Sequence, residues 1–149
     1  MELNQPLGYL LGRSMRIFKI LLLTELKKQE IDLSFEQFAI LNMLNSDCGL
    51  IQQDLANFLQ KDKSIIVRQI DTLIDNQLVV RIVNKGDKRK KNLVLTPKGT
   101  NILSQARSLA SGISKRLLSG VTNAELEVFQ KVLSKIQENG DADEELFKS

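Results

Sequence analysis

The 149-residue chain contains no histidine, no tryptophan and a single cysteine, Cys48. Without histidine there is no imidazole general base, no Ser-His or Cys-His nucleophile and no histidine-containing zinc site. One cysteine cannot close an intramolecular disulfide. The chain shows no catalytic carboxylate pair and no glycine-rich phosphate loop, so an enzyme is not expected, nor is a cofactor or a metal. Two prolines and eight glycines are too few for a disordered chain or a turn-rich all-β fold. The longest unbroken apolar run of the first helical segment, Ile20 to Leu23, is far short of the ~20 residues a membrane span needs. The opening Met1-Glu2-Leu3-Asn4 lacks the positive n-region of a secretory signal. The expected compartment is the cytoplasm, with no membrane partner.

What the chain does have is segregated charge. The formal net charge is only +3, but residues 61–98 hold ten Lys/Arg against four acids. Residues 138–149 hold five acids against one lysine. A cluster this local points to a partner of opposite charge.

Hydrophobic spacing divides the rest into helices. Leu7, Leu11, Ser14, Phe18 and Leu21 recur at helical intervals, and Leu10, Ile17, Ile20, Leu22 and Leu23 widen the stripe, predicting a helix over 7–29. Ser34 with Gln37 is a capping box opening a helix that runs to about Ser46. A short helix is expected over 52–59, with Leu55, Ala56 and Leu59 inward. Asp62 is placed to cap the next helix, whose buried face is Ile66, Ile70, Leu73 and Ile74. Strand-like runs at 78–83 and 92–96 flank a charged loop. Ile102, Ala106, Leu109, Ile113 and Leu117 mark a long helix. Thr122 with Glu125 caps a last one, carrying Leu126, Phe129, Leu133 and Ile136 and stopped at Asn139-Gly140.

Three helices followed by a two-stranded hairpin make a winged helix-turn-helix. The fold class is therefore mainly α, a three-helix core plus a β wing, with long helices at both ends. The winged unit is assigned to 34–97, the outer helices to 1–33 and 98–139, and an acidic, frayed tail to 140–149. The outer helices carry more apolar surface than one small core covers, and a second copy of the chain would bury it.

In LANFLQKDKSIIVRQIDTLIDNQLVVR followed by GDKRKKNLVLTPKG the chain resembles the MarR family of winged-helix transcriptional regulators. The matching elements are Leu55-Ala56, Lys63-Ser64 with Arg68, Asp87 and Arg89, Leu93, Leu95 and Thr96, and Gly99. The resemblance implies a homodimer clamped by its terminal helices on a pseudo-palindromic operator. It also implies a small apolar or aromatic effector, sensed in a crevice between the dimerisation and DNA-binding regions. Two departures stand out. Ile65 and Val67 replace threonines common in relatives, and Gln60 and Gln77 occupy positions where glycine is common. Asn76 is expected to take the left-handed conformation in place of that second glycine.

The residues assigned to double-stranded DNA are Lys63, Ser64, Arg68 and Gln69 on the helix and Asp87, Lys88, Arg89, Lys90 and Lys91 on the wing. Arg89 suits a narrow minor groove with Asp87 steadying its guanidinium, and Lys88, Lys90 and Lys91 suit phosphates. Arg68, one turn from Ser64, can read guanine in the major groove. Alternatively Arg68 pairs with Asp71 or Asp75, and the wing is a solvated charged loop. Phe18, Leu22, Phe38 and Met43 are candidates for an effector site, and core packing explains them equally well. Cys48 reads as a small half-buried residue rather than a redox sensor. The alternative to a regulator is a winged-helix module docking its basic wing on an acidic protein.

Overall fold

Helix ends with satisfied backbone groups set the element boundaries. The computed structural model describes residues 2–46, Asp54, Leu55, Asn57 and 62–141. Its elements are α1 (Leu7–Lys28), α2 (Phe35–Ser46), α3 (Lys63–Asp75), β1 (Val79–Val83), β2 (Lys91–Leu95), α4 (Pro97–Leu117) and α5 (Asn123–Asp141). Both capping boxes form. The Gln37 N–H donates to the Ser34 hydroxyl at 3.1 Å, and the Ser34 N–H to the Gln37 side-chain carbonyl at 3.0 Å. At α5, the Thr122 N–H donates to the Glu125 carboxylate at 2.8 Å and the Glu125 N–H to the Thr122 hydroxyl at 3.2 Å. The Asp62 carboxylate accepts from the Ser64 N–H at 3.1 Å, capping α3. Asp54, Leu55 and Asn57 are helical and Leu55 is fully buried. The remainder of the helix expected over 52–59, and Cys48, lie outside the described residues.

Two helices end in left-handed residues that are not glycine. Past α1, Glu30 has φ 58°, and the Ile31 N–H reaches the Leu26 carbonyl at 2.9 Å. Past α3, Gln77 has φ 62°, with its N–H on the Ile74 carbonyl and the Leu78 N–H on the Leu73 carbonyl, both 2.9 Å. These are paired Schellman bonds. Asn76, expected to be the left-handed residue, has φ −83° and serves as the C-cap. Gln77 therefore keeps the geometry that glycine commonly provides, because the bonds from Gln77 and Leu78 demand it. A second correction concerns α5, which runs through Asn139 and Gly140 to Asp141. Glycine inside a helix costs only about 1 kcal/mol, too little to stop one that is otherwise well formed.

The chain divides into two compact units, residues 1–114 and 115–149. The core of the first unit takes Leu22 and Leu26 from α1, Ile40, Leu41 and Leu44 from α2, and Ile66, Ile70 and Leu73 from α3. Val79 and Leu93 come from the hairpin, and Leu103, Ala106 and Ile113 from α4. The strands pair antiparallel with Val79 opposite Leu95 and Val83 opposite Lys91, so β1 starts one residue after the expected 78 and β2 one residue before the expected 92. The first half of α1 is exposed throughout, including Leu7, Tyr9, Leu10, Leu11, Met15 and Ile17. In the second unit, none of the described residues of α5 is buried, and Val128, Phe129 and Val132 lie open.

The end of α3, the root of the hairpin and the start of α4 meet at one joint. The Thr96 N–H donates to the Leu78 carbonyl at 3.0 Å, and the Thr96 hydroxyl to the Gln77 carbonyl at 2.6 Å. The Gly99 N–H closes on the Thr96 hydroxyl at 2.9 Å. A Cβ on Gly99 would fall on the Leu78 backbone carbonyl. Gly99→Ala is therefore expected to lower stability by about 1–3 kcal/mol, the usual effect of overpacking a tight site, in chemical denaturation. An unchanged midpoint would mean the two backbones are not pressed together.

Candidate nucleic-acid interface

Helix α3 is amphipathic, and what it buries decides what it presents. With Ile66, Ile70 and Leu73 in the core, Lys63, Ser64, Ile65, Arg68 and Thr72 are exposed and Gln69 is half-buried. The Asp62 cap starts the helix just before this set, so Lys63 and Ser64 lie in its first turn. Asp71 does not pair with Arg68. It bonds Arg81 of β1 at 2.6 Å, which ties the helix to the hairpin. Among the described residues no carboxylate pairs with Arg68, and its guanidinium faces solvent as a free cation.

The wing is shaped by side chains folded onto its own backbone. Asn84 Oδ1 accepts from the Gly86 N–H at 2.8 Å and the Asp87 N–H at 3.1 Å, and Asn84 Nδ2 donates to Asn92 Oδ1 at 3.1 Å. The Asn84 N–H bonds the Lys90 carbonyl, and the Lys90 N–H the Asp87 carbonyl, both at 3.0 Å. This is Asx-turn chemistry closing a loop of residues 84–90. At its tip Asp87 accepts from the Arg89 backbone N–H at 3.0 Å and from Arg89 Nε at 3.3 Å. The Arg89 side chain nevertheless stays 92% exposed. Asp87 thus aims the guanidinium without hiding it. Lys88, Lys90 and Lys91 are exposed around it.

The nine residues assigned to DNA fall into two sets, four on α3 and five on the wing, with α3 and the hairpin joined by the Arg81–Asp71 bridge. Asn84, Asn92 and Arg81 escaped the sequence reading. The run Asn84-Lys85-Gly86-Asp87 carries a turn signal that could have revealed Asn84, whereas the cross-element role of Arg81 leaves no local trace. Of the effector candidates, Leu22 and Phe38 are buried in the core, and Phe18 and Met43 are half-buried against it. A surface cleft of about 370 Å³ lies elsewhere, at the α1–α2 turn, lined by Leu23, Lys27, Glu30, Ile31, Asp32 and Leu33. Among the described residues no cluster of metal-ligating side chains occurs, and no helix is long and apolar enough to cross a membrane.

A capped helix with free cations beside a short hairpin with a braced arginine tip defines a winged helix-turn-helix. The sequence model of the MarR family matches residues 33–91 of the chain. Solved structures agree over nearly the whole chain. Apo MarR from E. coli is 26% identical, with TM-score 0.77 over 91% of this chain and 98% of its own. A cysteine-to-serine mutant of MarR from E. coli complexed with operator DNA is also 26% identical, with TM-score 0.77 over 88% and 93%. A SlyA-like transcription regulator from Listeria monocytogenes is 26% identical, with TM-score 0.81 over 95% and 92%.

Asn84→Ala removes the acceptor that orders the wing while leaving every cation in place. It is expected to weaken duplex binding by roughly 3- to 10-fold, from hydrogen bonds worth about 0.5–1.5 kcal/mol, with an unchanged melting temperature. Unaltered affinity would show that the wing needs no preordering.

Proposed function

We propose that this chain is a DNA-binding transcriptional regulator, a repressor that holds a pseudo-palindromic operator as a homodimer and responds to a small apolar or aromatic effector in the cytoplasm. The observation that carries the reading is the pair of outward cationic elements, α3 with Arg68 unpaired and the wing with Arg89 braced by Asp87. A helix of this kind fits the major groove, and an arginine on a hairpin tip fits the minor groove beside it. The operator complex of the MarR relative supports the same reading.

Self-association is supported by apolar surface that each unit leaves open. In α1, Leu7, Tyr9, Met15 and Ile17 are 41–54% exposed, and in α5 Val128, Phe129 and Val132 are 49–61% exposed. Pairing of two chains through these helices would place two α3 helices on successive major grooves. An effector would reach the layer between α1 and α2 at Phe18 and Met43, the half-buried members of its apolar set.

Sedimentation at micromolar concentration is expected to return a dimer, and a clean monomer would remove the symmetric-operator reading. With about four to six phosphate contacts per subunit, the log–log salt slope of duplex binding is expected near −7 to −10, from ~0.9 per contact. A slope near zero would assign the basic cluster to an acidic protein instead. Arg68→Ala should relax discrimination at one base pair by ~1–3 kcal/mol. Arg89→Ala should weaken binding to all sequences and blunt any preference for A·T flanks. If both variants bind a selected operator as the wild type does, the interface lies on another surface.

A further inference from the structure

The outer face of α3 is polar except at Ile65. This side chain is 43% exposed, one position after Ser64 and three before Arg68. At 3.6 residues per turn, Ile65 projects about 60° from Arg68 and about 20° from Thr72 around the helix. The Thr72 hydroxyl is turned back to the Arg68 carbonyl at 3.1 Å, so that edge of the helix offers little hydrogen bonding beyond the guanidinium. Val67 differs from Ile65. It is half-buried and lies on the opposite flank, near the direction of Ile74.

Single exposed apolar residues are ordinary on protein surfaces. Ile65 is set apart by sitting in the first turn of the helix whose neighbouring side chains, Ser64 and Arg68, are the ones suited to base edges. An isoleucine can neither donate nor accept a hydrogen bond, so placing it over a polar base edge strips that edge of water without return. In the major groove one base feature is apolar, the C5-methyl of thymine. We propose that Ile65 is a specificity-determining residue that reads a thymine methyl beside the base pair contacted by Arg68. The proposal rests on the DNA-binding reading above.

The experiment replaces each thymine of a duplex selected by the wild-type protein with deoxyuridine, which deletes the methyl and leaves base pairing intact. Affinities are measured by fluorescence anisotropy at fixed salt. At one thymine per half-site, uracil is expected to weaken wild-type binding about fourfold, the effect of one CH₂-sized group. Ile65→Ala should weaken binding to the thymine duplex by a similar factor or more and then be indifferent to uracil at that position. Uracil at every other position should affect the two proteins equally. Because the wild-type scan needs no variant, the proposal stays testable if Ile65→Ala folds poorly. A wild type indifferent to every uracil, or an Ile65→Ala protein that keeps the uracil penalty, overturns the assignment of Ile65 while leaving DNA binding intact. Failure of the wild type to select any duplex overturns the DNA-binding reading and the assignment with it.

Discussion

The backbone of Gln77 and Leu78 is where helix, hairpin and following helix are held as one piece. A helix ends with unsatisfied carbonyls that need partners. At the end of α3, the Asn76 carbonyl accepts from Lys98 Nζ at 3.1 Å and the Gln77 carbonyl from the Thr96 hydroxyl at 2.6 Å. Thr96 immediately precedes α4, and Lys98 lies in its first turn. The Leu78 carbonyl accepts from the Thr96 N–H, and Gly99 is pressed against it with no room for a side chain. Val79 and Leu95 begin the strand pairing one residue further on. The direction of α3, the root of the wing and the start of α4 cannot vary independently. Thr96 and Gly99, both among the residues that carry the family resemblance, thus serve as a joint.

The same economy governs charge. Of the four acids in residues 61–98, Asp62 caps α3, Asp71 bonds Arg81 and Asp87 braces Arg89. Each is engaged close to the backbone or across elements, and Arg68 and the wing lysines remain outward and uncompensated. Exposed like charges raise the energy of the free protein slightly and are screened by salt. In the proposed function their gain would come on a polyanion, where each phosphate contact releases counterions. On that reading, stability and affinity are served by different members of one charged segment.

Features that depend on near neighbours in the chain were legible in the sequence. The capping boxes at Ser34–Gln37 and Thr122–Glu125, the Asp62 cap and the Asp87–Arg89 pairing all span two or three residues, and each forms. What escaped depends on tertiary context. Gln77 rather than Asn76 turns left-handed because Leu78 must reach Leu73, which propensity alone does not reveal. Gly140 stays helical because a single glycine is a weak stop. Asp71 lies three residues from Arg68 on the same helix, yet Arg81, ten residues along and on another element, takes it. The outward set on α3 could be placed on the correct face from periodicity, but its freedom from counter-ions could not.

Backbone hydrogen exchange, with and without a selected duplex and in the wild type and Thr96→Val, tests most directly the claim that one joint positions both elements proposed to face DNA. The wild type should gain protection from DNA in residues 63–69 and 84–91 together. Thr96→Val, which lacks the hydroxyl bonded to Gln77 and Gly99 but remains folded, should lose both protections in parallel. Protection confined to one of the two segments, or a Thr96→Val protein whose helix and wing respond separately, would contradict it.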